Sequence, residues 1–210
     1  MPKIAIDARP DDTTRERILK AAMLRFSTHS YEETGLRDLA ADVGVDSAYV
    51  HRCFGSKEKL FYEAVKATLQ PERIFAGEAS DLSFTLAKEV MVERGANEIR
   101  PLDIVIRSFS SPDASRVLRD LLMEDFIAPL TKKRRSLSPQ GAALIGAFLA
   151  GVGILRDVIR ADPLMEGEGG EVEKIIARTI SGLMSGDPND RQEVPVRPVA
   201  ENRPRQRRPQ

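Results

Sequence analysis

Cysteine occurs once in 210 residues, as Cys53, so no disulfide can close within the chain. Histidine is confined to His29 and His51. His51 and Cys53 share no ligand face, because residues two apart on a helix diverge by about 200°; no metal and no other cofactor is expected. Formal net charge is zero, with 32 basic and 32 acidic side chains. A nucleic-acid binder is often more basic overall, but only its contacting face must be positive, so neutrality argues mildly against DNA and no more. Strand-type alternation of Val, Ile, Thr and aromatics is nearly absent. The longest uncharged apolar run, residues 142–155, falls short of the roughly 20 needed to cross a bilayer, so no membrane partner is expected. No phosphate loop, paired catalytic carboxylates or nucleophile–histidine arrangement occurs, and the chain is not expected to be an enzyme. A lone thiol and the lack of a signal peptide suggest a cytoplasmic protein.

Ala, Leu, Glu and Arg dominate the middle of the chain and point to an all-α fold. Its length suits one medium domain, or a small one fused to a larger one. Residues 1–12 read as a flexible arm. Thr13 with Glu16 forms a capping box before Ile18, Ala21, Ala22 and Phe26, which share a helical face, so a first helix is predicted over Thr14–Thr28. Ser30 with Glu33 has the same spacing without an apolar run behind it, and reads as a chance match in a loop. Thr34 is the expected cap of a second helix that buries Leu36, Leu39 and Val43. Asp46 caps a short third helix ending near Phe54, Gly55 breaks it, and Ser56 caps a fourth. Pro71 closes this N-terminal unit, residues 13–70. Residues 71–185 read as a second helical domain, with helices at about 80–94, 102–110, 113–132, 139–160 and 170–184. From Gly186 to residue 210 the prolines, arginines and acids lack periodicity and mark a disordered tail.

The most informative run is Ala40 to Val50. Ala40 is small enough for two helix axes to cross, and Gly44 tolerates the positive φ of a turn between them. Such a unit usually presents its second helix to the major groove of DNA. Ser47 and Tyr49 lie near the start of that helix, where base edges are reached. His51 can donate to a phosphate, and Arg52 can pair with guanine or phosphate. Arg37 is placed for a backbone contact.

The stretch from Thr14 to about Phe61 strongly resembles the DNA-binding domain of TetR-type transcriptional regulators, the tetracycline-repressor family. The matching residues are Arg17-Ile-Leu, Ala21-Ala22, Phe26, Thr34, Leu39-Ala40, Gly44-Val45 and Phe54-Gly-Ser-Lys-Glu-Lys-Leu. The resemblance implies a three-helix helix-turn-helix domain joined by its fourth helix to a larger helical domain that dimerises and usually binds a small effector. It implies a phosphate contact for Lys57, which also suits a lysine at the positive end of a helix dipole. The DNA-binding set is therefore Thr34, Arg37, Ser47, Tyr49, His51, Arg52 and Lys57. The third helix departs from the family pattern at Ala48, Tyr49, His51 and Cys53.

In the second domain, small residues at spacing four let helices approach closely. Ala143, Gly146, Ala147, Ala150 and Gly151, with Ile176 and Ile180 of the last helix, form the expected homodimer interface; a central core helix within one chain is the alternative, and the resemblance favours the dimer. Phe84, Met91, Ile104, Phe109, Leu122, Met123 and Phe126 are candidates for an effector pocket, although spacing alone does not separate a pocket from a solid core. Their types suit an apolar or amphipathic molecule. The expected function is an effector-responsive repressor that binds a palindromic operator in double-stranded DNA as a homodimer. The alternative is a helical ligand-binding or scaffold protein that has lost specific DNA recognition.

Overall fold

The computed structural model describes residues 11–93, 95 and 98–185. Residues 1–10 of the expected arm, 1–12, and the expected tail from Gly186 onward lie outside those residues. Among the described residues every regular element is helical.

Helix α1 spans Thr14–Thr28. The Thr13 hydroxyl accepts from Glu16 N at 3.3 Å, and the Glu16 carboxylate accepts from Thr13 N at 2.7 Å, as the capping box predicts. Ser30 and Glu33 also exchange their capping bonds: Glu33 accepts from Ser30 N at 3.0 Å and Ser30 Oγ accepts from Glu33 N at 3.3 Å. This pair is no chance match, because it closes the turn that leads into α2, Leu36–Val43. That turn displaces Thr34 from its expected role. Its hydroxyl donates backward to Ser30 O at 3.1 Å, and Gly35 becomes the cap, its N–H donating to Asp38 at 3.2 Å.

Gly44 ends α2 at φ +78°, where a side chain would be strained. Ala40 O accepts from both Gly44 N and Val45 N at 2.9 Å, which turns the chain sharply. Asp46 then accepts from Ala48 N at 2.7 Å and starts α3, Ser47–Phe54. Ser56 starts α4, Lys57–Leu69, by accepting from Lys59 N at 3.3 Å. Pro71 does not simply stop the chain. It opens a single turn, α5 (Pro71–Ile74), because a missing N–H costs nothing at the first helical position.

Next come α6 (Leu82–Met91), α7 (Pro101–Ser108) and α8 (Pro112–Leu121). The chain passes without interruption through a wide π turn, Leu122–Ile127, into α9, Ala128–Lys133. The sequence predicts one regular helix there. Pro129 supplies the reason for the difference: it has no N–H for the carbonyl of Asp125, so the preceding turn widens, and Ala128 N donates to Met123 O. Helix α10, Pro139–Gly153, likewise runs into a π turn, Ile154–Val158, followed by α11, Glu171–Ser185.

Two cores form, and they do not divide the chain at residue 70. The first joins Ile18, Phe26, Leu39, Val50, Leu60 and Phe61 to Ile104, Ala114, Val117 and Leu121 of α7 and α8. The second joins α6, α9, α10 and α11 through Leu86, Met91, Leu130, Ile145, Ile176 and Ile180. Helices α7 and α8 therefore act as the base on which the first four helices sit. Arg107 Nε donates to Ser27 O at 2.7 Å and Ser111 Oγ to Glu32 at 2.5 Å, fastening that base to the end of α1 and the following turn.

Candidate nucleic-acid interface and effector domain

Helix α3 has one buried edge. Val50 and Phe54 enter the first core, while Ala48, His51 and Arg52 face outward. Ser47, Tyr49 and Cys53 are half-buried along the margins. The Arg52 guanidinium lies 5.2 Å from the Tyr49 ring centroid, which orders both side chains on the exposed surface. His51 and Arg52 thus share the exposed side of α3 with Ala48, Ser47 and Tyr49 flank it at opposite margins, and Arg37 is exposed on the neighbouring helix. Behind this surface the helix is firmly seated. Arg15 stacks 4.6 Å from the Phe54 ring centroid and pairs with Glu63 at 2.5 Å, and Arg17 donates to Val43 O at 2.9 Å.

Thr34 does not belong to that surface. It is wholly buried, its hydroxyl is donated to Ser30 O, and its N–H is donated to Tyr31 O at 3.3 Å. Lys57 is half-buried, with Nζ 4.0 Å from the Tyr31 ring centroid. Loss of water around it pushes its pKa down, and Glu32, Glu58 and Asp113 act in the opposite direction. To reach a phosphate, Lys57 must swing off that ring. Lys59, exposed in the same first turn of α4, is a further candidate cation. Lys59 lies in the same matching run, Phe54-Gly-Ser-Lys-Glu-Lys-Leu, but the resemblance implies a phosphate contact for Lys57 only. Among the described residues, no three His, Cys, Asp or Glu side chains converge to hold a metal ion.

The base carries a polar junction with α4. The Tyr62 hydroxyl donates to Asp125 of the first π turn, and Lys66 Nζ bonds the same carboxylate at 2.7 Å and Glu72 at 3.2 Å. The bond to Asp125, followed by burial acting the other way, leaves the Lys66 pKa raised. Burial first, and then Asp125, raise that of Tyr62. A shift of the π turn would therefore pull on α4, the helix that follows α3.

The seven expected pocket residues do not line one cavity. Ile104 is buried in the first core and Met91 in the second. Phe84 and Phe109 are more than half exposed, and Leu122 and Met123 lie on the surface of the π turn. Phe126 packs edge-on against Phe75, with ring centroids 6.0 Å apart. The helices carrying these residues rotate them toward different neighbours. An open depression beside Phe84 is lined by Glu171, Lys174, Ala177 and Arg178 and encloses nothing.

The expected dimer surface also divides. Ile176 and Ile180 are 2 % and 0 % exposed inside the second core, because α11 turns that edge toward α6. Gly146 packs inside its own chain, since a Cβ there would stand 3.2 Å from the Phe126 ring. Ala147 and Ala150 face outward, and Gly151 has nothing within 4 Å of a built Cβ. Ala143 is half-buried against the second core. Leu144, 59 % exposed, and Leu155 extend the outward side of α10, and Ile175 extends that of α11. With its π turn, α10 covers 20 residues, Pro139–Val158, long and apolar enough by length and composition alone to cross a membrane, and 22 % of its most apolar stretch is buried inside the chain. The helix outruns the uncharged run 142–155 because the capped first turn and the π turn, with Arg156 and Asp157, lengthen it, while that run itself stays short of a bilayer's span.

Two domain families match the sequence. Residues 18–64 match the bacterial regulatory proteins of the tetR family, and residues 81–184 match the tetracyclin repressor-like C-terminal domain. The fold is similar to that of a TetR-family regulator from Streptomyces coelicolor A3, at 25 % identity over 84 % of this chain and 98 % of that one, with a TM-score of 0.52. It is also similar to reduced NemR of E. coli, at 16 % identity, 80 % and 97 % coverage, and a TM-score of 0.59. For GusR of Salmonella enterica the figures are 18 % identity, 82 % and 95 % coverage, and 0.59. No curated protein matches the sequence.

Proposed function

Because the chain belongs to the TetR family of transcriptional regulators, with a DNA-binding domain followed by a helical ligand-binding domain, we propose that it is a homodimeric repressor released from its operator by a small effector. The observation that carries this reading is the outward face of α3, where His51 and Arg52 stand clear while Val50 and Phe54 anchor the helix. Two such helices, related by a dyad, would enter successive major grooves of a palindromic site about 34 Å apart. A dimer seated there would block transcription. The zero net charge is no obstacle, because the contacts come from a few cations on one side.

The outward faces of α10 and α11 support the dimer. Leu144, Ala147, Gly151, Leu155 and Ile175 leave a broad apolar surface beside small residues, and a second copy would cover it as half of a four-helix contact. The same covering accounts for the weak burial of α10 without a membrane. An effector that favours one setting of the base would shift the population of head separations through the junction of Tyr62 and Lys66 with Asp125.

Two measurements test the DNA face. Operator fragments selected from random DNA should bind Arg52→Ala about 5- to 150-fold more weakly than the parent, the loss expected of one bidentate base contact. Discrimination at one base pair of each half-site should relax at the same time. His51→Ala should also weaken binding. Unaltered affinity in both variants would remove α3 from the interface. Lys57→Gln should instead weaken all sequences alike and lower the slope of log affinity against log salt by about 1 per protomer. A salt slope identical to that of the parent would show that Lys57 stays on Tyr31 when DNA is bound.

A further inference from the structure

Arg156 is 5 % exposed, and its Nε meets no acceptor. It lies in the second π turn, Ile154–Val158, where the wider coil re-aims side chains relative to the regular helix. Its Nη1 donates to Asp157 at 3.0 Å. The next helix meets this turn through Arg100, whose Nη1 donates to Asp157 O at 3.1 Å while Nη2 holds Asp103 at 3.0 Å. One turn earlier, Gly153 has no side chain. A Cβ there would stand 2.7 Å from Leu102 and 3.6 Å from Val90, so α6, α7 and α10 converge at this point on apolar surface.

A buried guanidinium with one edge unmet is costly, and the cost disappears when an acceptor arrives. Asp157 occupies the Nη1 side. The Nε is left for an acceptor, and a carboxylate oxygen meets it with a charge-assisted bond. One turn before Arg156 the space against Gly153 is filled by Leu102 and Val90, so an uncharged body enters there by displacing the Leu102 tip. Leu102 is half-buried with a flexible tip and can give way. We infer that Arg156 is the head-group anchor of the effector site and that the effector is an amphipathic organic acid. This rests on the proposed effector response and adds the ligand's charge and the residue that reads it. It also supplies a route to the reading head: Arg100 and Leu102 begin α7, and Arg107 near its end holds Ser27 O of α1.

Decanoate and 1-naphthoate, each against its neutral alcohol (1-decanol, 1-naphthalenemethanol), would be titrated calorimetrically into the full chain, with and without bound operator. At least one acid should bind about tenfold or more tightly than its alcohol, the difference expected of a hydrogen bond to a charged group. Arg156→Met should erase that preference, Arg156→Lys should keep part of it, and Asp157→Asn should strengthen acid binding by removing the competing carboxylate. If Arg156→Met fails to fold by circular dichroism, the lysine and asparagine variants decide. Neither acid binding the parent chain, the preference surviving in Arg156→Met, or acid binding weakening in Asp157→Asn would overturn the anchor. Acid binding that leaves operator affinity unchanged would uphold the site and defeat the effector response. Operator release by an alcohol alone would uphold the response and defeat the anchor.

Discussion

Asp42→Ala should destabilise the reading head by about 3–5 kcal/mol, the loss expected when one partner of a buried ion pair is removed. Arg25 of α1 and Asp42 of α2 have side chains 1 % and 0 % exposed, and Arg25 Nη2 donates to Asp42 Oδ1 at 2.9 Å while Nε donates to Oδ2. The carboxylate holds the Arg25 pKa above its ordinary value, against the effect of burial. A guanidinium is not deprotonated in proteins, so Arg25 keeps its charge in the variant and loses the group that best compensates it. Small domains have only about 5–15 kcal/mol to lose, so the deficit should appear as a large fall in the urea midpoint followed by circular dichroism. The paired change Arg25→Met with Asp42→Val should recover most of the loss, because an apolar pair close in combined volume removes both desolvation costs. A loss below about 1 kcal/mol in Asp42→Ala would mean that water reaches the pair. The pair fixes the angle between α1 and α2, and α3 is carried on α2, so operator binding should fall with stability.

Ala147→Glu should break the proposed dimer without unfolding the chain. Ala147 lies on the outward side of α10, so the monomer bears the carboxylate in water at little cost. In an isologous contact the substitution occurs twice, and like charges brought together in an apolar interface cost several kcal/mol. Sedimentation should show the dimer weakened by about a thousandfold, equivalent to about 4 kcal/mol. Band shifts on a palindromic site should fall in parallel, because a lone head holds one half-site. Ile176→Ala provides the contrast: as a core residue it should cost about 2–5 kcal/mol of folding stability, with no selective effect on assembly. If Ala147→Glu remains a full dimer, the outward side of α10 is not the subunit contact.

The caps were legible because their bonds span two or three residues. Thr13 with Glu16, Asp46 with Ala48 N and Ser56 with Lys59 N follow from spacing alone. The Gly44 bend follows from the φ that a tight reversal demands. The tetracycline-repressor-like first half was also legible from its run of matching residues, whereas periodicity showed the second half only to be helical and its family character was what the resemblance implied. Thr34 was misread because its hydroxyl has two local options, and the Ser30–Glu33 turn selects the backward one. Ile176 and Ile180 were misread because α11 has apolar residues on more than one side. Only its contact with α6 shows that Ile176 turns inward and Ile175 outward.

Helix type, helix limits, the bent pair α2–α3 and the family are consequences of neighbours close along the chain, where hydrogen bonds and periodicity act. Rotation of each helix about its own axis is different, since it is set by surfaces distant in sequence. That rotation buries Thr34, separates Ile104 from Met91, opens one side of α10 and directs Arg156 inward. Burial of apolar area is non-directional and summed over all neighbours, so only the assembled fold could decide which side each helix would hide.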